Sequence, residues 1–171
     1  VAKHFDQRAI GDLVEKEIEF LKGKAHNPTH PYTAVMGGAK VSDKIQIIDK
    51  IMPKADHLLI GGGMCFTFLK AKGYDVGKSL VEEDKLDLAK KLMEKADEQD
   101  CEIVLPSDVI CAQEIEDNVP YHTVKVDAIP ENELGLDIGD ETVENFSKIL
   151  ENSKTVLWNG PMGVFEIDQF A

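Results

Sequence analysis

Basic residues are scarce in this 171-residue sequence: 19 Lys plus Arg stand against 32 Asp plus Glu, a formal charge of −13. That deficit argues against non-specific nucleic-acid binding, which needs a basic face, and against adsorption to an anionic membrane. It does not argue against a phosphate ligand, because a few well-placed lysines outweigh net charge locally. Long apolar runs are also lacking: none approaches the roughly 18 residues of a membrane span. The chain opens on Val1, and no signal peptide is expected. Its three cysteines, Cys65, Cys101 and Cys111, form no CxxC pair and have no histidines at metal-ligand spacing. They read as buried free thiols in a reducing cytosol, so a cytoplasmic location and no metal site within the chain are expected.

What is present is an ordinary globular mixture, 43% hydrophobic and 30% charged, with length for one domain and its core. Ile10, Leu13, Val14, Ile18 and Leu21 form an amphipathic helical stripe over about Asp6–Leu21, broken by Asn27-Pro-Thr-His-Pro31. Tyr32–Met36 then reads as a strand and Val41–Met52 as a helix. His57–Ile60 is a strand, followed by a helix from Met64 to about Ala71 that Gly73 can cap. Ser79-x-x-Glu82 has the form of a capping box, predicting a helix to about Gln99 with Leu86, Ala89, Leu92, Met93 and Ala96 inward. Glu102–Leu105 is a strand, Val109–Gln113 and His122–Val126 an antiparallel pair. A helix opens at Asp140 or Thr142, and Thr155–Trp158 is the last strand. Strands alternating with helices predict a three-layer αβα, Rossmann-like domain with a mainly parallel sheet covered on both faces, plus a small antiparallel hairpin.

Glycine follows three of these strands: Gly37-Gly38-Ala39-Lys40, Gly61-Gly62-Gly63, and Asn159-Gly160-Pro161-Met162-Gly163. In open α/β sheets the ligand crevice lies beyond the carboxyl ends of the strands, where glycine lets backbone amides approach a ligand closely. One glycine pair alone reads as a tight turn. Three clusters on one rim favour a planar or phosphorylated ligand.

Two familiar motifs fail. Gly73-Tyr-Asp-Val-Gly77-Lys78-Ser79 has one residue too few for a phosphate loop and follows a helix instead of a strand. Gly61-Gly-Gly63-Met-Cys-Phe66 lacks the last glycine of a dinucleotide fingerprint, which argues against a dinucleotide-dependent oxidoreductase. A non-enzymatic interaction module on the same scaffold is a further alternative that no residue promotes.

Lys40 and Lys44 are four apart at the start of the second predicted helix, so both are expected to project from one face. Like charges there cost roughly 0.2–0.5 kcal/mol, and cations at a helix N-terminus roughly 0.3–1 kcal/mol more. Asp43 relieves part of this. A phosphate would reverse the sign, since charge-assisted hydrogen bonds contribute roughly 1.5–3 kcal/mol each.

Four segments, Gly37-Gly-Ala-Lys-Val-Ser-Asp-Lys44, Gly61-Gly-Gly-Met-Cys-Phe-Thr-Phe-Leu69, Gly135-Leu-Asp-Ile-Gly139 and Trp158-Asn-Gly-Pro-Met-Gly-Val-Phe-Glu166, resemble phosphoglycerate kinase in that family's order. The resemblance runs from about Leu13 to the end. It implies the nucleotide-binding domain, residues 27–171 and incomplete at its C-terminus, preceded by an interdomain linking helix over residues 1–26. It implies transfer of a phosphoryl group between 1,3-bisphosphoglycerate and ADP, or from ATP to 3-phosphoglycerate in reverse.

Carried over by position, Lys40 contacts the phosphoryl group in flight and Lys44 holds the nucleotide phosphates. Gly38, Ala39, Gly61, Gly62, Leu80, Gly135, Leu136 and Val164 form the adenine slot, Glu166 accepts from the ribose hydroxyls, and Asn159 and Pro161 lie along the phosphates. Cys65 stands where the family commonly has alanine, and Ile10-Gly-Asp-Leu-Val14 matches the linking helix only loosely. The family's Mg²⁺-binding Gly-Gly-Gly-Asp-Thr segment has no counterpart before Ala171, nor its glycerate-binding domain after Val1. Both ends are expected to be cuts. The chain alone is therefore expected to be a monomer that binds ADP or ATP, with the Mg²⁺ ligand outside it, its partner the missing amino-terminal domain, and no turnover of its own.

Overall fold

The computed structural model describes residues 11–18 and 27–170. Helix α1 spans Asp12–Ile18; Ile10 and Leu21 of the expected stripe lie outside the described residues. Leu13 and Val14 are exposed, with no described residue covering that part of the stripe.

Four strands, β1 (Tyr32–Met36), β2 (His57–Ile60), β3 (Glu102–Val104) and β7 (Thr155–Asn159), form a parallel sheet in the order β3-β2-β1-β7. The central strands are short apolar runs, and every residue of β1 is buried. Tyr32, Ala34, Met36, Leu58 and Ile60 pack on one face against α2 (Ile45–Ile51), α3 (Met64–Ala71) and α4 (Leu86–Glu98). Val35 and Leu59 pack on the other face against Phe146, Ile149 and Leu150 of α5 (Asp140–Asn152). This is the expected three-layer αβα arrangement.

Edge strand β7 departs from it. Val156 and Trp158 pair with Thr33 and Val35, on the α5 side of the sheet, and both are exposed. Being next to only one strand, β7 lies beyond the width that a single helix covers.

The expected hairpin is one strand larger. β4 (Asp108–Ala112), β5 (Tyr121–Lys125) and β6 (Leu134–Ile138) form an antiparallel sheet in the order β5-β4-β6. The Gly135-Leu-Asp-Ile-Gly139 segment hides its strand character behind glycine, which adds no side chain to an alternating pattern. Gly135 is required there because a Cβ would strike the Phe66 ring of α3.

Two helix starts differ from expectation, and a third is capped from elsewhere in the fold. The helix predicted over Val41–Met52 begins at Ile45, with Lys44 at its N-cap and a turn before it in which the Lys44 N–H donates to the Val41 carbonyl. It continues as a 3-10 turn over Met52–Lys54 because Pro53 cannot donate. The capping box at Ser79 does not form: α4 starts at Leu86 after a 3-10 turn over Glu83–Lys85. Ser79 Oγ accepts instead from the Gly135 N–H, and the Glu82 carboxylate accepts from Ser42, so tertiary partners took both groups. Helix α5 starts at Asp140 as expected, but its cap comes from another element. Buried Asp108 of β4 accepts from the N–H groups of Glu141 and Thr142 at 3.1 and 2.8 Å, placing a carboxylate at the positive end of the helix dipole. Helix α3 ends as predicted, with Gly73 and Tyr74 donating back to Lys70 and Leu69 in a Schellman arrangement.

Candidate nucleotide site

Because β2, β1 and β7 are adjacent and parallel, their three glycine turns emerge side by side. They are also bonded to one another. Gly37 N–H donates to Asn159 O at 2.9 Å, Gly38 N–H to Pro161 O at 3.0 Å, and Gly62 N–H to Met162 O. Met64 at the start of α3 donates to Gly38 O at 2.9 Å. The chain after β7 then crosses to the antiparallel sheet, where Val164 N–H donates to Leu136 O at 2.9 Å. The turn Pro161–Val164 therefore bridges the two sheets.

Between them opens a cavity of about 430 Å³. Gly38, Ala39 and Gly62 line it from the parallel sheet, Gly135 and Leu136 from β6, and Leu80 from the strap that follows α3. Pro161, Val164 and Glu166 line it from the bridging segment. Its lining is mostly apolar, suited to a flat ring system with polar groups at the margins. A second groove, about 500 Å³, runs past Lys72, Tyr74 and Ser107, but no glycine turn faces it.

Not every predicted residue touches the cavity. Lys44 stands at its edge: its Cε lies 3.6 Å from where a Gly38 Cβ would be, and its ammonium donates to Asn159 Oδ1. Asn159 and Gly61 lie behind the lining. A Gly61 Cβ would meet Met162 Sδ at 2.6 Å, so the chain's own packing favours glycine there. The same holds for Gly62, whose Cβ would meet Gly38 N and O at 2.6 and 2.7 Å. Lys40 is exposed just before the Val41–Lys44 turn. With the helix starting at Ile45, the two lysines do not share a helix face as expected; they flank a turn.

The residues carried over by position omit Gly63, Lys78, Ile115, Leu134 and Gly163, all on the cavity wall, although Gly63 and Gly163 belong to the glycine clusters of the rim. Gly63, Lys78, Leu134 and Gly163 each lie within one or two residues of a predicted position. Ile115 had only one signal, a lone apolar residue in the acidic stretch Glu114–Asp117. Under the floor, burial pushes the Asp137 carboxyl up, against the lowering effect of the Ile138 N–H. Burial, followed by the nearby Asp137 charge, pushes the Cys65 thiol far up, which fits an inert thiol. Among the described residues no group of three or more His, Cys, Asp or Glu could hold a metal ion, and no helix is long and apolar enough to cross a membrane.

The profile of one protein family, phosphoglycerate kinase, matches residues 1–171. The chain is 53% identical over 165 residues to a phosphoglycerate kinase of Listeria welshimeri, covering 96% of this chain and 41% of that protein. It is 57% identical over 162 residues to the one of Thermosipho africanus, covering 94% and 40%. Among solved structures, the phosphoglycerate kinase of Coxiella burnetii superposes with a TM-score of 0.90 at 42% identity, over 94% of this chain and 41% of that one. That of Pyrococcus horikoshii superposes with a TM-score of 0.81 at 29% identity. The chain thus spans about 40% of the length of the curated relatives it matches.

Proposed function

The chain belongs to the phosphoglycerate kinase family, and from that premise we propose that residues 27–171 are the nucleotide-binding part of a glycolytic kinase, joined through residues 1–26 to a glycerate-binding partner domain. The reaction is phosphoryl transfer from 1,3-bisphosphoglycerate to ADP, or from ATP to 3-phosphoglycerate in reverse. The acyl phosphate's P–O bond breaks, releasing a carboxylate, and a new P–O bond forms to a β-phosphate oxygen of ADP. Such a step asks the protein mainly for in-line positioning and charge neutralisation.

The observation that carries this reading is the meeting of three glycine turns and a lysine at one end of an apolar cavity. Leu80, Leu136 and Val164 offer apolar walls for adenine, with the backbone of Gly38, Ala39, Gly62 and Gly135 beside them. Glu166 stands at the margin as acceptor for the ribose hydroxyls. Lys44, steadied by Asn159, supplies an ammonium to the phosphates, with Pro161 alongside. Lys40, exposed and outside the cavity lining, is assigned to the phosphoryl group in flight by its position in the family's pattern.

Mg²⁺ is taken to arrive with the nucleotide, and the family's pattern places its protein ligand outside this chain. The cytoplasmic, monomeric state belongs to the same proposal. Calorimetric titration with ADP, with and without Mg²⁺, tests it: weak binding is expected, and no heat at millimolar nucleotide would sink it. Turnover of ATP and 3-phosphoglycerate by this chain alone would contradict the need for a second domain.

A further inference from the structure

The two ends of the cavity are tied together by a segment that the nucleotide reading leaves without a role beyond Leu80. Ser79 Oγ accepts from the Gly135 N–H at 2.9 Å, anchoring the segment to β6 at the base end. Leu80 follows on the cavity wall. Glu82 then reaches the opposite side. Its carboxylate accepts from both donors of Ser42, the N–H at 3.0 Å and the hydroxyl at 2.6 Å. Its own N–H is held by the hydroxyl of Thr67, a buried residue of α3, at 3.1 Å. Ser42 lies midway between Lys40 and Lys44.

Resting on the nucleotide reading, we propose that Glu82 is a positioning residue: through Ser42 it holds the Lys40–Lys44 turn in register with the Leu80 wall. A carboxylate suits the task because it accepts two bonds at once from one residue, and bonds to a charged acceptor are about twice as strong as neutral ones. Burial opposes ionisation of Glu82, but the bonds from Ser42 and Val41 outweigh it and hold the carboxyl below its ordinary range. The bridge is therefore ionised at neutral pH.

Two readouts on Glu82→Ala, Glu82→Gln and Ser42→Ala test this. Amide hydrogen exchange reads the bridge directly in the nucleotide-free chain. Exchange at Ser42 is expected to rise about tenfold in Glu82→Ala, as the loss of a bond to a charged acceptor allows, while α4 and β1 stay protected. Binding reads the role. ADP is expected to weaken about tenfold in Glu82→Ala and less in Ser42→Ala, while adenosine, which has no phosphate, changes little. Glu82→Gln, which still accepts from the Ser42 N–H, should recover much of both effects. Unchanged Ser42 exchange in Glu82→Ala would overturn the bridge. Equal losses for ADP and adenosine would overturn the positioning role, leaving Glu82 a support for Leu80 only. Failure of the unsubstituted chain to bind ADP sinks the nucleotide reading and this role with it. Normal binding there, with unaffected variants, sinks the positioning role alone.

Discussion

Replacing Gly62 by alanine should be among the most damaging single-methyl additions in this chain, and the structure says by how much. Gly62 has φ +65°, a left-handed conformation that costs an alanine roughly 1–2 kcal/mol. Its added Cβ would also stand 2.6, 2.7 and 2.9 Å from Gly38 N, Gly38 O and Pro161 O. These are backbone atoms already committed to hydrogen bonds between the three turns, so they cannot retreat without breaking them. Overpacking of this kind adds roughly 1–3 kcal/mol, and one weakened backbone bond roughly 1 kcal/mol more. The sum is about 3–6 kcal/mol.

Gly73 provides the control. It too has positive φ, +97°, but nothing lies within 4 Å of its Cβ position, so only the conformational part, roughly 1–2 kcal/mol, should appear. Gly61→Ala should fall between them, because the nearest atom is the Sδ of a flexible methionine. Urea unfolding of the three variants checks the ranking. At a slope of about 2 kcal/mol per molar, Gly62→Ala should lower the midpoint by about 2 M and Gly73→Ala by less than about 1 M. A Gly62→Ala loss no larger than that of Gly73→Ala would refute the claim that the turns are locked backbone against backbone.

Three further expectations are independent of that one. Lys44→Ala should weaken ADP binding more than Lys78→Ala, by calorimetry, because Lys44 stands with Asn159 beside the glycine turns while the Lys78 backbone is bonded to Glu133 on the far side of the cavity; the opposite ranking would move the phosphate end to Lys78. Asp56 accepts from the Tyr32 N–H and from His30 at 2.6 and 2.7 Å; burial alone would raise its carboxyl, but these bonds hold it below the ordinary 3.8. A depressed carboxyl contributes stability above its unfolded-state value and loses it as pH falls through the folded one. Asp56→Ala should therefore cost about 1 kcal/mol at neutral pH, discounted for exposure, with the gap closing as the pH drops below 3.8 in acid-unfolding curves. Cys65, Cys101 and Cys111 are buried, and burial pushes Cys101 up to about 11 and Cys111 to about 12. A thiol reagent at mildly alkaline pH should leave the folded chain unlabelled and titrate three thiols in denaturant.

Local chemistry alone determined a good deal of this protein. The apolar runs of β1 and β2, the bounds of α3 with its glycine stop, and the inward face of α4 follow from period and propensity within a few residues of chain. Glycine after three strands likewise marked one rim, since strands joined by crossover helices must run parallel and end on the same side. What the tertiary structure alone decided is where one group had competing partners. Ser79 and Glu82 satisfy a local capping pattern, yet Gly135 and Ser42 took both side chains, so α4 began later than its sequence suggests. The first turn of α5 is capped by Asp108, more than thirty residues away. Strand β6 carries too little side chain to announce itself, and the glycines at 62 and 135 are required by contacts with Gly38 and Phe66. Hydrogen-bond capacity and space are shared across the whole fold, so their allocation cannot be read from any stretch taken alone.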